Sequence, residues 1–513
     1  MVPSGLGTPP STGVGSWIER RARTAPEHVA IVAGDRAITY AEWAKRIRRL
    51  ANGLLRLGVR HGDRVAWLGD NHVAFLETLF ASGLVGAVLA PVNHRLEADA
   101  IRSILLDAEP AVVIDHLPAT SELLQAGVSQ RITVSGPSDG ATDFETLVAE
   151  SPDAPIDACV LLDDLCLLPH TSGTTGSPKG IMLTHANLTW NVVNFLSCAD
   201  FRSDDVTPAI APFFRVGGTG VNVLPVLFMG GTVVIPNDAT PDEILRSMQR
   251  HRVTVGFGNP DSLDALTRSE LWPAADLSSV RFVVTGGAPV PEHLIRTYVD
   301  RGVNLLQGYG LSEAGPLALM LDPESALEKI GSAGRPPLLV DVRILRPDGA
   351  VANVGETGEL QVRGPNVMRG YWRRPDATRS ALSEDGWLGT GDAARADQDG
   401  FMWIVGRVAD AIPTQSEIVY PGDVERVLID HPAIADVGVI QAPGTGGDSL
   451  VAFVVLSDGA NASEDDVVAF GRERLAPHEA PASVVFVEQL PRSSVGKLLR
   501  AELRAMASAS DSP

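Results

Sequence analysis

Lysine is nearly missing from this chain. Of its 513 residues 42 are Lys or Arg, and only Lys45, Lys179, Lys329 and Lys497 are lysine, which leaves 38 arginines. A G+C-rich coding bias accounts for the general skew. Where a lysine stays, its compact ammonium is a candidate for work that a planar guanidinium fork cannot do. Positive charge is scarce too: 63 Asp and Glu bring the net charge to -21, a field that repels polyanions, so neither nucleic acid nor an anionic membrane is an expected partner. Cysteine is limited to Cys159, Cys166 and Cys198, an odd number without metal-type spacing, which fits a reducing compartment. Residues 1–16 lack the basic start and apolar core of a signal peptide. The longest largely apolar stretch, Leu79 to Val92, has 14 residues and contains Ser82, two glycines and Pro91. That is too short to span a bilayer and reads as a buried helix running into a strand, so no membrane span and a cytoplasmic location are expected.

What is present is ample for a large core. Hydrophobic residues make up 44% and charged residues 20%, which excludes a disordered chain and, at about 150 residues per domain, suggests about three domain-sized units. Thr39 with Glu42 forms a capping box ahead of Trp43, Ile47, Leu50 and Leu54 at helical spacing. Short buried strands are expected at Val29–Val32, Arg64–Leu68, Ala111–Ile114, Val253–Gly256, Arg281–Thr285 and Val303–Leu306, with helical segments between them. That alternation predicts an α/β fold with parallel-rich sheets covered on both faces. After about Gly331 the pattern turns to a small, more antiparallel β region, and beyond Gly406 to a compact α+β unit. The expected division is a large N-terminal domain over 1–405, a hinge at 406–411 and a small C-terminal domain over 412–513.

The densest chemical cluster is Leu168-Pro169-His170-Thr171-Ser172-Gly173-Thr174-Thr175-Gly176-Ser177-Pro178-Lys179-Gly180. Its glycines let the backbone approach a ligand, its hydroxyls donate hydrogen bonds, and Lys179 adds a point charge, a set that suits a polyphosphate. The spacing is not that of a Walker loop, because Lys179 stands three residues after Gly176 and is followed by Gly180.

Thr171 to Gly180 resembles the signature loop of the adenylate-forming enzymes, the superfamily of acyl-CoA synthetases, peptide-synthetase adenylation domains and firefly luciferase. Gln307-Gly308-Tyr309-Gly310-Leu311-Ser312-Glu313, Gly386-Trp387-Leu388-Gly389-Thr390-Gly391-Asp392, Gly406-Arg407 and Pro491-Arg492-Ser493-Ser494-Val495-Gly496-Lys497 are similar to further motifs of that family, in its order. The resemblance implies two parallel-rich subdomains and a small β region in the N-terminal domain, followed by a mobile α+β lid. It implies attack of a carboxylate on the α-phosphate of ATP to give an acyl-adenylate and pyrophosphate, then displacement of AMP by a thiol. In these terms Thr171, Ser172, Gly173, Thr174, Thr175, Gly176 and Lys179 would hold the β- and γ-phosphates. Glu313, beside Ser312, would bind the magnesium ion. Gly287 and Ala288 with Gln307, Gly308 and Tyr309 would form the adenine pocket, and Asp392 and Arg407 would hold the ribose. Lys497 would bridge the attacking carboxylate and the α-phosphate during adenylation.

Departures from the family pattern gather on the thioester step. Ala409, with Asp410 next, stands where a polar hinge residue is usual, and Gln415-Ser416, preceded by Pro413, stands where Gly-Gly or Lys-Gly is common beside the thiol channel. Pro477-His478-Glu479-Ala480-Pro481 lacks the usual positive charge, and Arg215 replaces a common His. Phe214, Arg215, Gly217, Gly218 and Val221 match an acyl-pocket segment whose small residues leave room for an aliphatic chain, so a fatty acid is the first expectation and an aryl acid the second. The leading expectation is a carboxylic acid:CoA ligase. The alternative is a ligase that loads the phosphopantetheine of an acyl carrier protein, which needs a basic patch of Arg472, Arg474, Arg492 and Arg500 in a segment, residues 407–513, that has 8 basic and 16 acidic residues. A non-catalytic adenylate binder and a luciferase-like oxygenase are lesser alternatives.

Overall fold

A computed structural model describes residues 11–116, 128, 130–136, 140–171, 178–413, 418–444, 447–457, 459–492 and 498–510. Contacts divide the chain into two compact units, Met1–Val342 with Val362–Gly389, and Arg343–Gln361 with Thr390–Pro513.

The capping box forms as the sequence predicts: the Thr39 hydroxyl accepts from the Glu42 N–H while the Glu42 carboxylate accepts from the Thr39 N–H. The helix it starts, Tyr40–Arg56, buries Trp43, Ile47, Leu50 and Leu54, each fixing the helix by about 2 kcal/mol of apolar burial. Leu79 to Val92 is a helix, Val73–Val85, that stops at left-handed Gly86 and leads into the strand Val88–Val92. Both elements are buried almost throughout, which is why the stretch is so apolar.

Among the described residues, three sheets lie in the first unit. In the largest, the strands Leu165–Leu167, Val88–Val92, Arg64–Leu68, Val112–Asp115, Arg131–Thr133 and Thr142–Asp143 run parallel. Lys179–Thr184 then pairs antiparallel with Leu165–Leu167, and Gly370–Tyr371 pairs antiparallel with Lys179–Thr184. A second sheet has the parallel strands Val255–Gly258, Phe282–Gly286 and Asn304–Gly310, followed by antiparallel Leu317–Met320. The third joins Val206–Pro208, Thr232–Ile235, Val29–Ala33 and Arg36–Thr39. The strand Arg64–Leu68 has the expected ends, and the other expected strand ends shift by up to four residues, most at Asn304–Gly310, where the glycines extend the ladder instead of ending it.

Most of a further sheet, of Asp341–Leu345, Gly358–Arg363, Leu388–Ala396 and Met402–Arg407, falls in the second unit. The second unit also has an α+β portion in which Pro421–Leu428 and Glu464–Arg474 pack on the sheet Ile434–Gly444, Gly447–Leu456 and Ser483–Phe486 around Val424, Leu428, Val439, Ala452, Val454 and Val467. The contact division differs from the boundary expected at 405–411. Leu388–Ala396 and Met402–Arg407 are rungs of one antiparallel ladder, so the β region groups with the C-terminal portion. The basic patch needed for an acidic carrier is largely neutralised within this unit: Arg492 pairs with Asp436 at 2.7 Å, Arg500 with Glu425 at 2.6 Å and Arg474 with Glu473 at 3.0 Å. No helix among the described residues is long and apolar enough to cross a membrane.

Candidate active site

The Ser/Thr/Gly loop hangs from a hairpin. His170–Thr171 pairs antiparallel with the start of Lys179–Thr184, so that Thr171 stands opposite Lys179 and His170 opposite Gly180. Ser172, Gly173, Thr174, Thr175 and Gly176 lie outside the described residues. The stem is anchored from below: His170 Nε2 donates to Asp107 Oδ2 at 3.2 Å, and Arg374 Nη2 donates to Asp107 Oδ1 at 2.8 Å. Burial acts to raise the Asp107 pKa, but His170 and Arg374 outweigh it and hold the carboxyl below its ordinary range.

Lys179 reaches toward Glu313 by way of Tyr371, a residue that none of the sequence motifs marks. The Lys179 ammonium lies 5.3 Å from the centre of the Tyr371 ring, and the Tyr371 hydroxyl donates to Glu313 Oε1 at 2.9 Å. Glu313 follows Ser312 in a single 3₁₀ turn, Ser312–Ala314, and the Glu313 carbonyl accepts from the Met368 N–H at 2.8 Å. Three buried asparagines brace this turn. Asn366 Nδ2 donates to the carbonyls of Ala314 and Leu317 at 2.6 and 2.8 Å, and Asn187 Nδ2 donates to those of Pro365 and Val367 at 2.9 and 2.7 Å. Asn191 donates to the Gly220 carbonyl at 2.9 Å and accepts from the Leu317 N–H at 3.1 Å. Such buried amide ties fix a backbone that has no regular ladder of its own.

The expected adenine residues lie together at the C-terminal ends of neighbouring parallel strands, where open α/β sheets bind ligands. Thr285 is level with Gln307 and Gly286 with Gly308, Gly287 and Ala288 follow at the strand end, and Tyr309 continues the next strand. A side chain at Gly286 would come within 2.4 Å of the Gly308 carbonyl oxygen, and one at Gly310 within 1.9 Å of the Pro316 carbonyl oxygen. Glycine at 286 lets its strand lie close to Gly308, and glycine at 310 lets the next strand end lie close to Pro316.

In the acyl segment Arg215 caps the short helix Val216–Gly220. Phe214 is buried, with Arg95 and Arg215 set 5.8 and 6.0 Å from its ring centre. Burial of its charged end and then the like charge of Arg95 lower the Arg215 pKa. Gly217 borders the Phe257 ring at contact distance, whereas a side chain at Gly218 would meet the Pro212 carbonyl oxygen at 2.0 Å. Gly218 thus answers to a tight backbone turn and does not itself enlarge a pocket. Val221 packs into the hydrophobic core with Val226, Val284 and Leu306. Asn71, also unmarked by any motif, clamps the approach to this segment: its side chain donates to the Ala209 and Ala211 carbonyls at 3.0 and 2.9 Å and accepts from the Phe213 N–H at 2.7 Å.

In the second unit Asp392 is level with Arg407 across the antiparallel ladder. Arg407 Nη1 donates to Asp392 Oδ1 at 2.7 Å and to the Thr390 carbonyl at 3.2 Å, while the Thr390 hydroxyl accepts from the Asp392 N–H at 3.1 Å. Lys497, Gln415 and Ser416 lie outside the described residues.

A carboxylate with one oxygen held and the other taking no hydrogen bond from the described residues suits magnesium, which uses one or two protein carboxylates with substrate phosphates.

Known proteins are similar over nearly the whole chain. Residues 18–372 match the AMP-binding enzyme family and residues 423–497 match the AMP-binding enzyme C-terminal domain. A feruloyl-CoA synthase of an Amycolatopsis species is 45% identical, over 96% of this chain and 98% of its own. An indoleacetate–CoA ligase of Aromatoleum aromaticum is 36% identical, over 96% and 97%. A long-chain-fatty-acid–CoA ligase of Mycobacterium tuberculosis is 32% identical, over 97% and 99%. Among solved structures, an anthranilate CoA ligase in complex with anthranoyl-AMP superposes with a TM-score of 0.89 at 26% identity, covering 98% of each chain. An o-succinylbenzoate CoA synthetase of Bacillus subtilis with ATP and magnesium superposes with a TM-score of 0.84 at 30% identity, covering 96% of this chain and 99% of its own.

Proposed function

Because this chain belongs to the AMP-binding enzyme family, we propose that it activates an aromatic carboxylic acid with ATP and passes the acyl group to coenzyme A. It is an AMP-forming acid–thiol ligase of the acyl-CoA synthetase type. The observation that supports the reading is the line Lys179, Tyr371, Glu313, with Thr171 opposite Lys179, which brings an ammonium and a carboxylate together through one tyrosine. The aromatic acid replaces the fatty acid expected first from sequence, and it is supported by the feruloyl and indoleacetate relatives.

Each residue then has a task. Thr171 and Lys179, with Ser172, Gly173, Thr174, Thr175 and Gly176, bind the β- and γ-phosphates. Glu313 holds the magnesium ion, which neutralises phosphate charge when bound. Gly287, Ala288, Gln307, Gly308 and Tyr309 receive the adenine, and Asp392 accepts from the ribose hydroxyls while Arg407 orients it. Lys497 stabilises the charge that develops between the attacking carboxylate and the α-phosphate. Phe214, Arg215, Gly217 and Val221, with Phe257, border the acid. Residues 406–411 act as the hinge of the C-terminal portion, and Gln415-Ser416 lines the thiol path.

The test supplies ATP, magnesium and a panel of hydroxycinnamic, indolic, benzoic and fatty acids, and traps the adenylate with hydroxylamine. Hydroxamate from the aromatic acids, and thioester on adding CoA, is the expected result. Hydroxamate from fatty acids alone would overturn the substrate assignment, and adenylate consumed only by a phosphopantetheinylated carrier protein would overturn the acceptor.

A further inference from the structure

We infer that Tyr371 is a positioning residue that serves both charged groups of the phosphate site at once, docking Lys179 with its ring and aiming the Glu313 carboxylate with its hydroxyl. The inference rests on the roles proposed above for Lys179 and Glu313.

Strand register explains why one side chain can do both. Tyr371 is the pairing partner of Ile181, and Lys179, two residues earlier on that strand, projects from the same face as Ile181. A long side chain at such a diagonal position reaches its cross-strand neighbour, and the Lys179 ammonium accordingly lies 5.3 Å from the Tyr371 ring centre. An ammonium over an aromatic face is attracted by the ring quadrupole and keeps its hydrogen-bond donors for an anion. From the far edge of the same ring the hydroxyl donates to Glu313 Oε1 at 2.9 Å. The segment that carries Tyr371 also fixes the Glu313 backbone, since the Met368 N–H donates to the Glu313 carbonyl at 2.8 Å. Glu313 is thereby held at both ends. Its Oε2 takes no hydrogen bond from the described residues and is left for a cation.

The two contacts sit on different atoms of Tyr371, so two substitutions separate them. Tyr371→Phe keeps the ring and removes the hydroxyl; Tyr371→Leu removes both. Binding of a non-hydrolysable ATP analogue to the full chain is measured by calorimetry, without metal and across a magnesium titration, with Glu313→Gln as the reference for loss of the metal-dependent part. Tyr371→Phe is expected to bind the metal-free nucleotide as the unchanged chain does, but to need about tenfold more magnesium, the size of a lost hydrogen bond to a charged group. Tyr371→Leu is expected to show that shift and, in addition, about threefold weaker metal-free binding, the size of a partly exposed cation–π contact. A Tyr371→Phe protein whose magnesium curve overlies that of the unchanged chain would overturn the inference and leave the proposed function standing. An unchanged chain that binds no ATP analogue at any magnesium concentration would overturn both. Tyr371→Phe melts as the unchanged chain does if its fold is intact, so the outcome does not depend on the leucine variant.

Discussion

Asp392 and Arg407 face each other across an antiparallel strand pair, and Arg407 Nη1 donates to Asp392 Oδ1 at 2.7 Å. The charge-assisted bond ties the Asp392 carboxylate to the facing strand and orients it. Asp392→Asn keeps the shape and loses the charge, so the KM for ATP in the adenylation step is expected to rise by about tenfold or more. The Tm should move little, because Arg407 is 43% exposed and pairs of that kind contribute about 1 kcal/mol at most. Pyrophosphate-release kinetics and a thermal melt on the same variant check both halves.

Lys497→Ala separates the two half-reactions. Adenylate formation should fall by at least a thousandfold, about 4 kcal/mol of lost charge stabilisation, while chemically prepared acyl-adenylate is still converted to acyl-CoA. Hydroxylamine trapping and a thioester assay with added adenylate are the two measurements. Adenylation at an unchanged rate would remove Lys497 from the mechanism.

The neighbouring glycines at the strand end should respond unequally to alanine. A methyl at Gly286 would sit 2.4 Å from a backbone oxygen that cannot swing away, so Gly286→Ala should cost about 2 kcal/mol or more and abolish nucleotide binding. Gly287 has open space around it but a φ of 87°, so Gly287→Ala should cost only about 1 kcal/mol of backbone strain. Urea unfolding of the two variants side by side gives the order.

Acid should weaken the first unit through two imidazoles held neutral. Burial lowers the His185 pKa from its ordinary 6.5 to about 4, and burial together with the charge of His116 does the same to His72. The unfolded chain takes up protons near pH 6.5 and the folded chain only near pH 4, so the contribution is complete above pH 6.5 and is lost as the pH falls toward 4. For fully buried His185, whose Nδ1 accepts from the Val14 N–H at 3.0 Å, about 2 kcal/mol should be gone at pH 5. Urea unfolding at pH 7.5 and 5.0 measures the loss, and His185→Asn should reduce the difference between the two.

Much of this was legible in the sequence wherever the signal is local. The Thr39–Glu42 box, the alternation of short strands with helices, and the glycine- and hydroxyl-rich run ending in Lys179 each declare themselves within about ten residues, because caps, strand period and turn chemistry act at that range. Tyr371, Asn187, Asn191, Asn366 and Asn71 do not. An asparagine in a helix reads as an ordinary polar residue, and only tertiary packing shows that Asn187 holds the Pro365 and Val367 carbonyls. A glycine's reason is hidden in the same way: Gly218 reads as empty space in the sequence, and only packing shows that it answers to the backbone of Pro212. The grouping of the β region with the C-terminal portion is hidden as well, since it depends on which strands share a ladder.

The asparagine ties also bear on how the chain folds. Asn187 reaches partners 178 and 180 positions away, and Asn191 reaches one 126 away, so the Glu313 turn is completed by contacts of high sequence separation, whose loop-closure entropy must be met before they form. An N-terminal fragment ending before Pro365, as a stalled synthesis or a protease cut would leave it, can build the parallel strands around Arg64–Leu68 and still have no seat for Glu313. The seat of Glu313 therefore depends on segments as far apart in the chain as Asn187 and Val367 being present together.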